Sequence, residues 1–142
     1  MRVQAGLDDA IFRFVEHELY NYESTIEELK EIKNDIREEA SGNINYNNYS
    51  TTPSYPSGSS SESAAIDLIT NKAIMRATKT IRDIERAYEK LDGDKMKLFD
   101  LKYKECMPWQ SIIGELCISD STYFRWRSEI VRIVAKEMGF LG

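Results

Sequence analysis

Apolar residues recur along this chain in steps of three and four. Between about Leu7 and Ala40 they fall at Val15, Leu19, Tyr22, Ile26, Leu29 and Ile36. This is the seam of a helix that buries one stripe, with Lys33 at the missing seam position and Ile32 beside it. Asp8 or Asp9 is placed to cap its start, and Gly42 follows its end. At 1.5 Å per residue such a helix is a rod of roughly 50 Å. Its stripe packs either on another helix of the same chain or on a second copy.

Residues 41–61 break the pattern, because Ser, Asn, Tyr, Thr, Gly and Pro supply almost all of them. Such a stretch buries too little apolar surface to offset its ordering entropy, which predicts a flexible linker. Periodicity resumes over about Glu62 to Leu91, where Thr70, Ile74, Ala77, Ile81, Ile84, Tyr88 and Leu91 again step by fours and threes. Ser61 or Ser63 is placed to cap this helix, and Gly93 to end it in a left-handed conformation. The first helix, folded back across the linker, is the expected cover for its stripe.

Three shorter helices are predicted after Asp94. Asp94 caps the first, Lys95 to about Glu105, with Met96, Phe99 and Tyr103 inward. Pro108 opens the second, Trp109 to Leu116, at a position where a missing N–H costs little. A three-residue turn, Cys117-Ile118-Ser119, leads to the third, Asp120 to about Met138, for which Ser119 is a good N-cap. Tyr123, Trp126, Ile130 and Val134 should face inward.

This is the layout of a helix-turn-helix. Ile113 should tuck beneath the last helix, and Ile118 should plug the small core. The first turns of that helix then project Asp120, Ser121, Thr122, Arg125 and Arg127 outward, toward a major groove about 12 Å wide. Ile113 and Cys117 stand where many such units carry alanine and glycine. Isoleucine spreads the helices slightly, and cysteine either avoids a left-handed turn or tolerates strain there. The expected fold is therefore all-α. It comprises a long N-terminal helix (1–40), a flexible linker (41–61), a second long helix (62–93) and a C-terminal three-helix helix-turn-helix unit (94–142).

Charge changes this picture. The chain of 142 residues carries a net charge of -5, which argues against a nucleic-acid binder until its distribution is seen. Residues 1–61 hold five Lys/Arg against eleven Asp/Glu; residues 62–93 hold six of each; residues 94–142 hold eight basic and seven acidic. A DNA-binding face should therefore lie at the C-terminal end. Arg125 is suited to bond guanine O6 and N7, Asp120 to accept from cytosine N4, and Ser119 with the first free N–H groups to hold a phosphate. Lys102, Lys104, Arg132 and Lys136 are candidates for further backbone contacts, and Arg127 is an alternative phosphate ligand. With so small a local excess of charge a single copy should bind weakly. A homo-oligomer through the long helices, or contact with RNA polymerase, would raise occupancy.

Other classes of function find little support. No apolar run approaches the roughly 20 residues of a membrane span, and residues 1–6 do not resemble a secretory signal, so no membrane partner and a cytoplasmic location are expected. His17, alone of its kind, reads as a surface residue, and Cys106 and Cys117 read as small hydrophobes. There is no glycine-rich phosphate loop and no zinc-protease motif, so no enzyme activity, cofactor or metal is expected. The pairs Glu27-Glu28 and Glu38-Glu39 read as the wet side of a helix.

The order of pieces carries a resemblance. The run Tyr103-x4-Pro108-Trp109-x2-Ile112-Ile113-x2-Leu116-Cys117-Ile118-Ser119-x-Ser121-Thr122-Tyr123-x-Arg125-Trp126-Arg127 is similar to the C-terminal unit of the RinA and ArpU families. These are phage and prophage transcriptional regulators of Gram-positive bacteria, and the unit in turn resembles the promoter-binding region 4 of sigma factors. Phe14-x-Glu16-x-Glu18-Leu19-Tyr20-x-Tyr22 resembles the families' N-terminal helix. The resemblance implies a sequence-specific, double-stranded-DNA-binding activator of late phage genes in a bacterial host cell, with Ser121, Thr122, Arg125 and Arg127 reading DNA. The alternatives are a small terminase subunit, which also joins a helix-turn-helix to a self-associating helical region, and a helical protein–protein adaptor.

Overall fold

The computed structural model describes residues 7–46 and 56–141, with side chains for residues 7–37 and 64–141. Residues 47–55, the middle of the expected linker, lie outside the described residues. The fold is all-helical: α1 (Asp9–Tyr20), α2 (Tyr22–Tyr46), α3 (Pro56–Glu89), α4 (Gly93–Phe99), a π-helical turn (Asp100–Lys104), α5 (Trp109–Leu116) and α6 (Asp120–Glu137). The chain divides into two compact units, residues 1–23 with 80–142, and residues 24–79.

Several expected boundaries move, each for a local reason. The single N-terminal helix is interrupted at Asn21, whose φ of -95° and ψ of 7° end α1. Asparagine competes for backbone hydrogen bonds and is a poor helix-interior residue. Asp8 is the N-cap of α1, but its side chain makes no capping bond. The long helices reach further into the Ser/Asn-rich stretch than expected, α2 through Tyr46 and α3 from Pro56. Proline suits a first helical position, where its absent N–H has no intrahelical partner. Gly93 is not left-handed; it opens α4, and Asp92 rather than Asp94 is the cap, accepting from Lys95 N at 2.9 Å. The helix after it does not stay α-helical to Glu105: at the π-helical turn Glu105 N donates to Asp100 O at 3.0 Å. That widening turns Lys102 and Tyr103 inward together.

One core fills the first unit. Phe12, Val15 and Leu19 of α1 join Ile84 and Ala87 at the end of α3, Leu91 just after it, Leu98 and Phe99 of α4, Ile112 of α5 and Tyr123, Ile130 and Val134 of α6. Burying each of the aliphatic and aromatic side chains contributes about 1.5–3 kcal/mol. The main partner of α1 is α6, not the central helix. This is why α6 buries Val131 and Ala135 as well as the expected Tyr123, Ile130 and Val134. Ile113, Ile118 and Trp126 are half-buried at the edge of this core. Cys106 and Cys117 are exposed free thiols instead of buried hydrophobes.

In the second unit Ile26 and Leu29 of α2, and Thr70, Ile74 and Ala77 of α3, are half-buried, the side toward which both stripes pointed. Ile36, on the same stripe, is 45% exposed. No described helix is long and apolar enough to cross a membrane.

Candidate nucleic-acid interface

The turn between α5 and α6 is fixed by backbone geometry at three successive residues. Cys117 adopts the left-handed conformation, with φ 55° and ψ 50°. A non-glycine residue bears that at a cost of about 1–2 kcal/mol. Ile118 N donates to Ile113 O at 3.2 Å, which closes the turn. Ser119 then caps α6: its Oγ accepts from Thr122 N at 3.1 Å and donates to Thr122 Oγ1 at 2.9 Å. Trp109 of α5 packs its ring against Tyr123 and Phe124, with centroids 6.0 and 5.3 Å apart, so α5 and the first turns of α6 form one rigid corner.

Helical spacing divides α6 into an inner and an outer side. Tyr123, Ile130, Val131, Val134 and Ala135 are buried. Ser121, Arg125, Arg132 and Lys136 are exposed and share the opposite face. None of the three cations on that face makes an ion pair among the described residues. Arg125 to Lys136 spans about 16 Å along the axis. Glu129 beside them is held by Lys95 at 3.1 Å, so its charge is compensated. Asp120 is exposed at the start of the helix, and Thr122 is half-buried in the cap.

Arg127 departs from the expected outward set. Its Nε and Nη2 donate to the two oxygens of Glu16 on α1, at 2.9 and 2.8 Å, and its guanidinium lies 4.8 Å from the Phe12 ring centroid. Glu16 Oε2 also accepts from Tyr103 Oη at 2.7 Å, and Lys102 Nζ stands 3.8 Å away while donating to Tyr20 Oη at 2.9 Å. Burial pushes the Glu16 carboxyl up, but the bonds from Arg127 and Tyr103 and the charges of Arg127 and Lys102 outweigh it and hold the group below its ordinary 4.5. The bond to Glu16 holds Arg127 more firmly protonated, against the opposing effect of burial. Burial and the Glu16 charge raise the Tyr103 hydroxyl well above its ordinary range. Arg127 thus joins α1 to α6, and Lys102 is likewise an interior group, 8% exposed.

Lys104 is not on the outer face of α6. It stands on the π-helical turn, 3.5 Å from Asp100 and over the Tyr88 ring. Arg13 of α1, outside the expected set, lines a groove of about 800 Å³ with Phe12, Ser121, Phe124 and Ser128, beside the outer face of α6. Arg13 is paired with Asp9 at 2.6 Å on the surface. Among the described residues no group of three or more His, Cys, Asp or Glu is arranged to hold a metal ion.

The fold and this face define an all-helical protein with a capped, basic-faced terminal helix. The chain belongs to the DUF722 family, described as proteins of unknown function, whose family model matches residues 15–136. No curated protein and no solved structure matches the chain.

Proposed function

We propose that this protein is a sequence-specific, double-stranded-DNA-binding transcriptional regulator of the RinA/ArpU type, working in a bacterial host cell. In this reading α5, the 117–119 turn and α6 are the helix-turn-helix, and α6 enters the major groove. The observation that carries it is the outer face of α6, where Ser121, Arg125, Arg132 and Lys136 stand exposed with no competing carboxylate bonded to the cations. Arg125, in the second turn of the helix, reads a base edge. Arg132 and Lys136 hold phosphates, and Ser119 with the first N–H groups of α6 holds another. Ser121 and Thr122 lie at the base-facing end, with Asp120 at its margin. Lys104 is a peripheral phosphate contact once it leaves Asp100. Arg127 positions α6 through Glu16 and touches no DNA.

The test is binding of the full chain to the late promoter region of the phage that encodes it, followed by fluorescence anisotropy at fixed salt. Arg125→Ala should lower affinity for that duplex by roughly 5- to 150-fold, the range for one lost bidentate base contact, and much less for unrelated duplex. Arg132→Ala should weaken both about equally and reduce the salt dependence by about one phosphate contact. Unchanged affinity in Arg125→Ala overturns the proposal.

A further inference from the structure

Nine large hydrophobic side chains are exposed among the described residues, and five of them belong to residues 24–79: Ile36, Ile66, Leu68, Ile69 and Met75. The four on α3 are 57–69% exposed, more than any in the first unit. Single exposed apolar residues are ordinary, but a cluster of this kind within ten residues of one helix marks an interaction surface.

Two features of this surface fit each other. The first is a groove of about 780 Å³ between α2 and α3, lined by Ile32, Ile36 and Ile66 and by the carboxylates Asp35 and Asp67. The second is the side of α3 turned away from its half-buried stripe. There Leu68, Lys72 and Met75 follow at steps of four and three, all exposed. Lys72 makes no ion pair among the described residues. A ridge of apolar, cation, apolar is what an apolar groove bordered by two carboxylates accepts.

We propose that residues 24–79 are a self-association surface, in which the Leu68–Lys72–Met75 ridge of one copy docks in the Ile32–Ile36–Ile66 groove of a second, with Lys72 between Asp35 and Asp67. In the two-fold arrangement each copy supplies both a ridge and a groove, so the contact is made twice and the assembly closes at a dimer. The occupant is a second copy because the groove's two carboxylates and apolar lining are matched in charge and polarity by this chain's own ridge. The proposal stands whether or not the protein binds DNA.

The test is the mass of the full chain in solution by sedimentation, from micromolar to about 100 micromolar. The wild-type chain should be dimeric, and Leu68→Glu with Met75→Glu should be monomeric with an unchanged helical circular-dichroism signal. Lys72→Glu should raise the dimer dissociation constant by about tenfold or more, as should Asp35→Lys with Asp67→Lys. Combining all three reversals should restore dimerisation. A wild-type chain monomeric throughout that range overturns the proposal, as does a dimer indifferent to Leu68→Glu with Met75→Glu. Failure of the combined reversal to restore association overturns the assigned pairing. A monomer that captures a different protein through this face overturns the second copy as occupant.

Discussion

Val15, Leu19, Ile84 and Leu91 belong to the same two stripes as Ile26, Leu29, Ile36 and Ile74, with the same steps of three and four. The first four are at most 5% exposed; the second four are half-buried or, for Ile36, 45% exposed. The stripe is the same, and what differs is the number of neighbours laid over it. In the first unit α1 and the last turns of α3 meet α4, the π-helical turn, α5 and α6 around one core. The described residues of 24–79 supply two helices, and two helices enclose a stripe from one side only. Periodicity identifies the face a helix prefers to bury; the count of elements around that face decides whether it is buried.

Breaking the first unit should cost most where charge is interior. Glu16→Ala leaves Arg127 and Lys102 without their carboxylate, and losing one partner of a buried pair costs about 3–5 kcal/mol. Arg127 is 30% exposed and regains some water, which places the loss toward the lower end. Glu31→Ala in the second unit should stay within about 0.5 kcal/mol, since Glu31 is exposed. Urea denaturation of both variants checks the contrast. The pH dependence has a definite sign. The Glu16 carboxyl is held below its ordinary 4.5 in the folded chain, so its contribution is complete above that value and is lost as pH falls through the lower folded value. Glu16→Gln should therefore be less stable at neutral pH and lose less on acidification.

Apolar truncation separates the units next. Ile130 is 0% exposed and Ile69 is 67% exposed. Ile130→Ala should cost about 2–5 kcal/mol, and Ile69→Ala less than about 0.5 kcal/mol. Comparable losses would mean that residues 24–79 are covered as fully as the core.

The fold was legible where local chemistry decides it. Trp109–Leu116 lies where Pro108 placed it, Ser119 caps α6, and Ile84 and Leu91 are buried as their spacing predicted. It was illegible where a distant partner decides. Nothing in the sequence near Arg127 announces that Glu16, 111 residues earlier, will accept both of its donors. Once α1 lies along α6, the same event explains the burial of Val131 and Ala135. The π-helical turn at Asp100–Lys104 also went unread, because its widening is compensated by Lys102 and Tyr103 reaching the core; the break at Asn21 is a local effect that apolar spacing alone does not carry. Of the candidate site, Ser121, Arg125 and Arg132 occupy the exposed face that helical spacing gives them, while Lys104 stands beside Asp100.

The smallest expected effect tests the corner that presents α6. Cys117 holds φ 55° with a Cβ that crowds its own backbone. Relieving that with glycine recovers about 1–2 kcal/mol, while glycine's greater freedom in the unfolded chain gives back roughly 0.5–1 kcal/mol. Cys117→Gly should therefore be more stable by up to about 1.5 kcal/mol, seen as a small rise in the thermal midpoint. Cys117→Ala keeps the Cβ and the strain, and removes only an exposed thiol whose Sγ lies 3.8 Å from Gly114 O, so it should leave the midpoint nearly unchanged. If both variants shift the midpoint equally, the thiol and not the backbone governs this turn. If glycine alone raises it, the left-handed cap is strained and α6 is held at its angle against that strain by the ring contacts of Trp109 with Tyr123 and Phe124.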